Sequence, residues 1–206
     1  MIWAVVLAAG ESLRMGRPKL LLSYGGRTII ETVVGSVVSS KVDGTVVVLG
    51  GARREIEEKL RAFPVKRVVN RAYKEGMLSS VRRGLSALPV SARAAVFVLA
   101  DQPDISPAVI NSLLEAYRGG GKGLVLPVFK EKRGHPLLVD LKYRQEINSL
   151  SPDIGLRSLL LEHGEDILEV RISSPAVLSD IDRPEDYERA RRAARRRRRP
   201  PPGRVS

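Results

Sequence analysis

Seven short apolar runs, rich in β-branched residues, recur along this chain, and stretches of amphipathic periodicity lie between most of them. The runs are Ile2–Leu7, Gly44–Leu49, Lys66–Val69, Ala94–Ala100, Leu124–Val128, Leu137–Val139 and Ile167–Ile172. The periodic stretches predict helices over Thr28–Ser39, Arg53–Ala62, Ser79–Leu88, Pro107–Arg118, Leu141–Ser149, Gly155–His163 and Pro184–Arg196. Strands alternating with helices build βαβ units on a mostly parallel sheet. The expected fold is therefore α/β, a single Rossmann-like domain with a twisted sheet flanked by helices. Two helix starts are marked locally, by Ser106-Pro107 and by Arg183-Pro184-Glu185, because proline suits the first helical position. A chain of 206 residues suffices for one core and is short for two domains.

Ligands of open α/β sheets bind beyond the carboxyl ends of the strands, so the residues after each run matter most. After the first run the chain reads LAAGESLRMGRPK, Leu7 to Lys19. Gly10 and Gly16 permit close backbone approach and positive φ. Free N–H groups in such a loop form an anion-binding nest. Arg14 adds a planar cationic fork and Lys19 a compact point charge. The composition points to a polyphosphate loop. It is not a Walker A loop, because Arg17-Pro18-Lys19-Leu20 follows Gly16, and the dinucleotide fingerprint GxGxxG is absent.

After the Ala94–Ala100 run comes Asp101-Gln102-Pro103-Asp104. A carboxylate at a strand end suits a hard cation, which takes one or two carboxylates plus phosphate oxygens and water. The same tetrapeptide is also good turn chemistry. A second acidic cluster is Asp180-Ile181-Asp182. In extended backbone Asp180 and Asp182 share a side, and Asp182 is the favoured second metal ligand, with Asp180 in reserve and a helix N-cap as the alternative. Glu185 and Asp186 sit in the first turn of the last helix, where acids suit the dipole. Gly76-Met77-Leu78-Ser79-Ser80 opens a helix after Asn70, serving either as a plain cap or as a site for polar ligand groups. His135, between Gly134 and Pro136, is open to three roles: turn residue, substrate contact or acid–base group. His163 before Gly164 reads as a partner of a helix C-terminus.

The net charge of +12 resembles a nucleic-acid signal until it is located. Residues 188–206 hold nine Arg against one acid, so the body is only mildly basic. Arg195–Arg199 followed by Pro200-Pro201-Pro202 reads as a disordered tail, 195–206, beyond a domain of residues 1–194. Such a tail attracts RNA weakly and in a salt-dependent way, but no aromatic residue interleaves the arginines to offer a stacking platform. The chain has no cysteine, which excludes disulfides and thiolate chemistry, and two histidines exclude a His-rich metal site. With no leader pattern and no run of membrane-spanning length, a cytoplasmic location is expected.

The opening loop resembles that of Rossmann-like nucleotidyltransferases, whose pattern is LA[AG]Gx[SA]xRMGxxK. The ordered set LAAGESLRMGRPKLLL, GMLSSVRRG, LADQPDIS, RGHPLLV, DIGLRSLL and DIDRPEDY is similar to that of the molybdenum cofactor cytidylyltransferases, from Ile2 to about Tyr187. The resemblance implies transfer of CMP from CTP to the terminal phosphate of molybdenum cofactor, with release of pyrophosphate. It implies Mg²⁺ on Asp101, to which the acidic cluster adds Asp182 as second ligand, and Arg14 and Lys19 on the triphosphate. Leu7, Ala8, Ala9, Gly10, Asn70, Gly76, Ser79 and Ser80 would lie near the nucleotide. Gln102, His135 and Asp153 would lie towards the acceptor. Guanylyl relatives usually carry LAGG, so Ala9 favours CTP over GTP. Ser151-Pro152 stands where relatives often have Gly, and the Arg-rich tail is no part of the pattern. The alternatives are a related enzyme using GTP or another phosphorylated acceptor, such as a sugar or isoprenoid phosphate, and a carrier that hands the cofactor to an apo-molybdoenzyme.

Overall fold

The computed structural model describes residues 1–198. The elements, in chain order, begin with β1 (Ile2–Ala8), the hairpin β2 (Ser23–Tyr24) and β3 (Arg27–Thr28), then α1 (Ile29–Val38), β4 (Gly44–Leu49), α2 (Arg53–Lys59) and β5 (Lys66–Val69). There follow α3 (Met77–Ser86), β6 (Ala94–Leu99), α4 (Pro107–Arg118), β7 (Leu124–Phe129), β8 (Lys132–Arg133) and β9 (Leu137–Asp140). The chain closes with α5 (Arg144–Ser149), α6 (Arg157–Glu162), β10 (Ile167–Arg171) and α7 (Pro184–Arg198). All seven predicted runs are strands, each within one residue of its expected bounds.

The strands lie in the order β10-β7-β9-β6-β1-β4-β5, with β8 on β7. β1 is central and runs parallel to both β4 and β6. From β1 the chain moves outward through β4 to β5, then crosses back and lays β6 on the other side of β1. That reversal is a switch point, and the strand ends on either side of it leave a crevice. β9 is antiparallel to both β6 and β7, so the sheet is mixed on that flank.

Side-chain alternation along β1 splits the core in two. Ala4, Val6 and Ala8 pack with Ile30 and Val34 of α1 and Leu113 of α4, whereas Val5 and Ala9 pack with Val81 and Leu85 of α3. α3 lies close enough to β1 that a Cβ at Gly84 would run into Val5 Cγ1.

Local chemistry shifts several helix ends from their expected positions. Thr28 caps α1 through a reciprocal box: its hydroxyl accepts from the Glu31 N–H at 3.3 Å, and the Glu31 carboxylate accepts from the Thr28 N–H at 2.7 Å. α3 starts at Met77 because Gly76, at φ +100°, ends the preceding turn. α6 starts at Arg157 because Gly155 has φ +61°, a conformation that interrupts a helix. α7 carries four residues of the segment expected to be a tail, and Ala194 is buried against the core. The remainder of that expected tail, residues 199–206, lies outside the described residues. The hairpin and β8 are two-residue ladders, too short to leave a periodic signal. Among the described residues, no helix is long and apolar enough to cross a membrane.

Candidate active site

The crevice at the switch point is a cavity of about 500 Å³. The loop after β1 forms one wall, the start of α3 another, and Asp101, Asp180 and Asp182 the floor.

The loop after β1 is held in an unusual shape. Ser12 is left-handed at φ 57°, ψ 34°, a region that non-glycine residues seldom visit. Its hydroxyl accepts from the Lys19 backbone N–H at 3.1 Å, closing the loop on itself. Gly16, at φ 63°, ends the single 3-10 turn between them. Beneath the loop, Gly51 N–H donates to the Ala9 carbonyl at 3.2 Å. A Cβ on Gly50 would lie 2.5 Å from that carbonyl, so the end of β4 must be glycine for the loop to sit down on it.

Lys19 is the hub of the floor. Its ammonium lies 2.7 Å from Asp101 Oδ2 and 2.7 Å from Asp182 Oδ1. Its side chain is only 13% exposed. Burial opposes its charge, but Asp101 and then Asp182 outweigh that and hold its pKa above the usual lysine value. The same hydrogen bond from Lys19 holds the Asp182 carboxyl below the ordinary aspartate range, against a smaller burial effect. Arg14 reaches the other oxygen of Asp182 at 3.1 Å. Arg14 is largely exposed, so that pair contributes little energy.

Asp101 Oδ1 is buried and has no hydrogen-bond partner among the described residues. An unsatisfied buried oxygen is costly. Together with the Asp182 carboxylate it makes a hard-oxygen donor pair around a point already occupied by a cationic head group. That donor set fits a divalent metal ion.

The sequence matches the family of MobA-like NTP transferase domains over residues 4–167. The chain belongs to this family. As a MobA-like NTP transferase it is a nucleotidyltransferase. It is 31% identical to the nicotine blue oxidoreductase of Paenarthrobacter nicotinovorans, over 91% of this chain and 95% of that one. A nucleotidyl transferase from Methanothermobacter thermautotroptrophicus superposes with a TM-score of 0.82 at 29% identity, covering 96% of this chain and 99% of that one. Rv0371c from Mycobacterium tuberculosis H37Rv superposes at 0.81 and 26% identity, covering 91% and 96%. The mycobacterial protein has also been solved in complex with manganese.

The MobA-like fold gathers most of the residues singled out from the sequence, but not all. Leu7, Ala9, Gly10, Arg14, Lys19, Gly76, Ser80, Asp101 and Asp182 line the cavity. Ala8 points the other way and is 1% exposed in the core. The Asn70 amide is spent internally: it donates to Ser79 Oγ at 2.8 Å and Ser80 Oγ at 3.0 Å and accepts from the Ala72 N–H. Ser79 in turn donates to the carbonyls of Ala72 and Gly76. Asn70 and Ser79 therefore shape the wall without lining it. Gln102 is buried beside Asp101, its Oε1 also unpartnered among the described residues. Burial pushes the His135 imidazole below its ordinary pKa, while the nearby Asp101 and Asp180 charges oppose that. Asp153 is exposed in the loop before α6 and does not line the cavity.

Sequence reasoning gave no role to Glu11 and Tyr73. The Tyr73 hydroxyl donates to Glu11 Oε1 at 3.3 Å, linking the first loop to the approach to α3. Nor did it flag Gly50-Gly51, although paired glycines directly after an apolar strand signal close backbone approach. His163 stands at the end of α6 as expected, but its partner is the Glu146 carboxylate, 2.8 Å from Nε2.

Proposed function

We propose that this nucleotidyltransferase moves CMP from CTP to the terminal phosphate of molybdenum cofactor, releasing pyrophosphate, with Mg²⁺ held by Asp101 and Asp182. The observation that carries the reading is Lys19 bound to both carboxylates in the crevice where β1 and β6 end. The loop N–H groups from Gly10 onward and the first turn of α3 offer donors to the triphosphate. Lys19 and Arg14 are placed to neutralise charge growing on the leaving pyrophosphate. Asp101 and Asp182 would hold the metal, which would supply Lewis-acid charge to the phosphoryl transfer. The attacking phosphate oxygen is ionised at neutral pH, so the protein's task is alignment rather than proton removal. Gln102 and His135 border the acceptor side, and Asp153 belongs there only if its loop folds inward over the acceptor.

Ala9 lines the cavity, and a residue there with one carbon more than glycine supports CTP over the bulkier GTP. The manganese complex of the mycobacterial relative supports divalent-metal binding by this enzyme. The reading includes a cytoplasmic enzyme whose transferase domain ends near Ala194 and whose product passes to an apo-molybdoenzyme.

A second reading rests on the relative named as an oxidoreductase. Against it, the chain lacks the GxGxxG fingerprint and carries a complete polyphosphate loop. The deciding experiment is a mass-spectrometric product assay with molybdenum cofactor, Mg²⁺ and each of the four NTPs, with parallel arms for sugar phosphate and isoprenoid phosphate acceptors. The cytosine dinucleotide product and pyrophosphate are expected. Turnover of a reduced nicotinamide cofactor without any nucleotidyl product would establish the second reading instead.

A further inference from the structure

Both oxygens of Asp182 are already engaged, Oδ1 by Lys19 and Oδ2 by Arg14, and Asp101 Oδ2 is engaged by Lys19. Asp101 Oδ1 alone of the four oxygens is left without a partner, so a divalent cation bridging the two carboxylates in the ligand-free protein would meet the Lys19 ammonium between them. We infer that Lys19 is a resident counter-ion that excludes divalent metal from the Asp101–Asp182 pair until an anionic polyphosphate draws it away.

The inference rests on the metal assignment above and adds an order of events. A metal displacing the ammonium breaks two charge-assisted hydrogen bonds, at 2.7 Å each, which are among the stronger polar contacts a protein makes. It also brings a doubly charged ion beside a buried ammonium that has lost its partners. A triphosphate removes both obstacles, because its oxygens replace the carboxylates as partners of Lys19. Lys19 leads directly out of the loop that Ser12 closes, so a small shift of one flexible side chain makes the exchange. Metal and nucleotide then enter together, and the free enzyme holds neither a futile metal nor an uncompensated carboxylate pair.

The test is Mn²⁺ binding to the apo protein, followed by loss of the free-ion EPR signal. Lys19→Met should bind Mn²⁺ alone about 10-fold tighter than wild type or better, the scale of one lost charged hydrogen bond. Lys19→Gln gives the same comparison should Lys19→Met not fold. Lys19→Met combined with Asp101→Asn should lose the gain, which places the ion at this pair. In equilibrium dialysis, wild type with a non-hydrolysable CTP analogue should retain Mn²⁺ beyond that held by the analogue alone. Wild type binding Mn²⁺ alone as tightly as the Lys19 variants would overturn the inference, as would a gain that survives Asp101→Asn. No metal binding by any form, with or without nucleotide, would instead sink the metal assignment beneath it.

Discussion

The backbone N–H of Ile181 donates to the carbonyl of Asp101 at 3.1 Å. That bond ties the segment before α7 to the end of β6. It sets Asp182 against Lys19 from the far side of the same ammonium that Asp101 holds. Two carboxylates from distant parts of the chain thereby become one site.

Asp101→Asn should abolish nucleotidyl transfer while leaving the fold intact. The amide retains the shape but lacks the negative charge that balances Lys19 and attracts a cation. The loss should exceed ~10²-fold in turnover, the scale of removing a principal electrostatic stabiliser. Near wild-type turnover at saturating Mg²⁺, with a normal circular dichroism spectrum, would end the assignment.

Ser12→Ala should loosen the loop rather than stop the chemistry. It removes the acceptor of the Lys19 N–H at 3.1 Å and leaves a non-glycine residue at positive φ. One neutral hydrogen bond is worth about 1 kcal/mol, so KM for the triphosphate should rise about 5-fold with kcat less affected. An unchanged KM would show that the loop holds its shape without this bond.

CTP should be preferred over GTP, and Ala9→Gly should narrow the preference. Ala9 lines the cavity with Gly50 packed against its Cβ, so losing the methyl should let this wall settle back and widen the space for a base. Competition assays that give wild type the higher kcat/KM with GTP would refute the argument from Ala9.

Gly84→Ala should destabilise the protein by about 1–3 kcal/mol, the usual cost of overpacking a core. The added Cβ would meet Val5 Cγ1 and lie 3.2 Å from Val48 Cγ2. Thermal unfolding reads the effect, and a Tm equal to wild type would mean that α3 can back away from the sheet freely.

Stability should fall on acidification through the range where His135 titrates. Burial holds its folded pKa below the unfolded value of 6.5. Below 6.5 the unfolded chain binds a proton that the folded protein resists, so unfolding is favoured progressively until the folded pKa is passed. Denaturant titrations at pH 7 and pH 5 should differ less in His135→Gln than in wild type. An equal acid sensitivity in the two would assign the effect to other groups.

Amino-acid order alone was enough to place β1, the loop after it, and Asp101 at the end of β6. These are local signals: an apolar run long enough for one strand, glycines where backbone must turn, and cations spaced within one loop. Lys19 and Arg14 were legible for that reason. The choice between Asp180 and Asp182 was not, since alternation puts both on one side of an extended segment. Tertiary structure sets Asp182 rather than Asp180 against Lys19, through the Ile181–Asp101 backbone bond and the reach of Lys19. Asn70 and Ser79 looked like ligand contacts but turn inward, because buried amide and hydroxyl groups must find partners and each other is nearest. The antiparallel setting of β9 between β6 and β7 also left no local mark. Strand direction depends on where the chain returns, and side-chain periodicity is the same whichever way a strand runs.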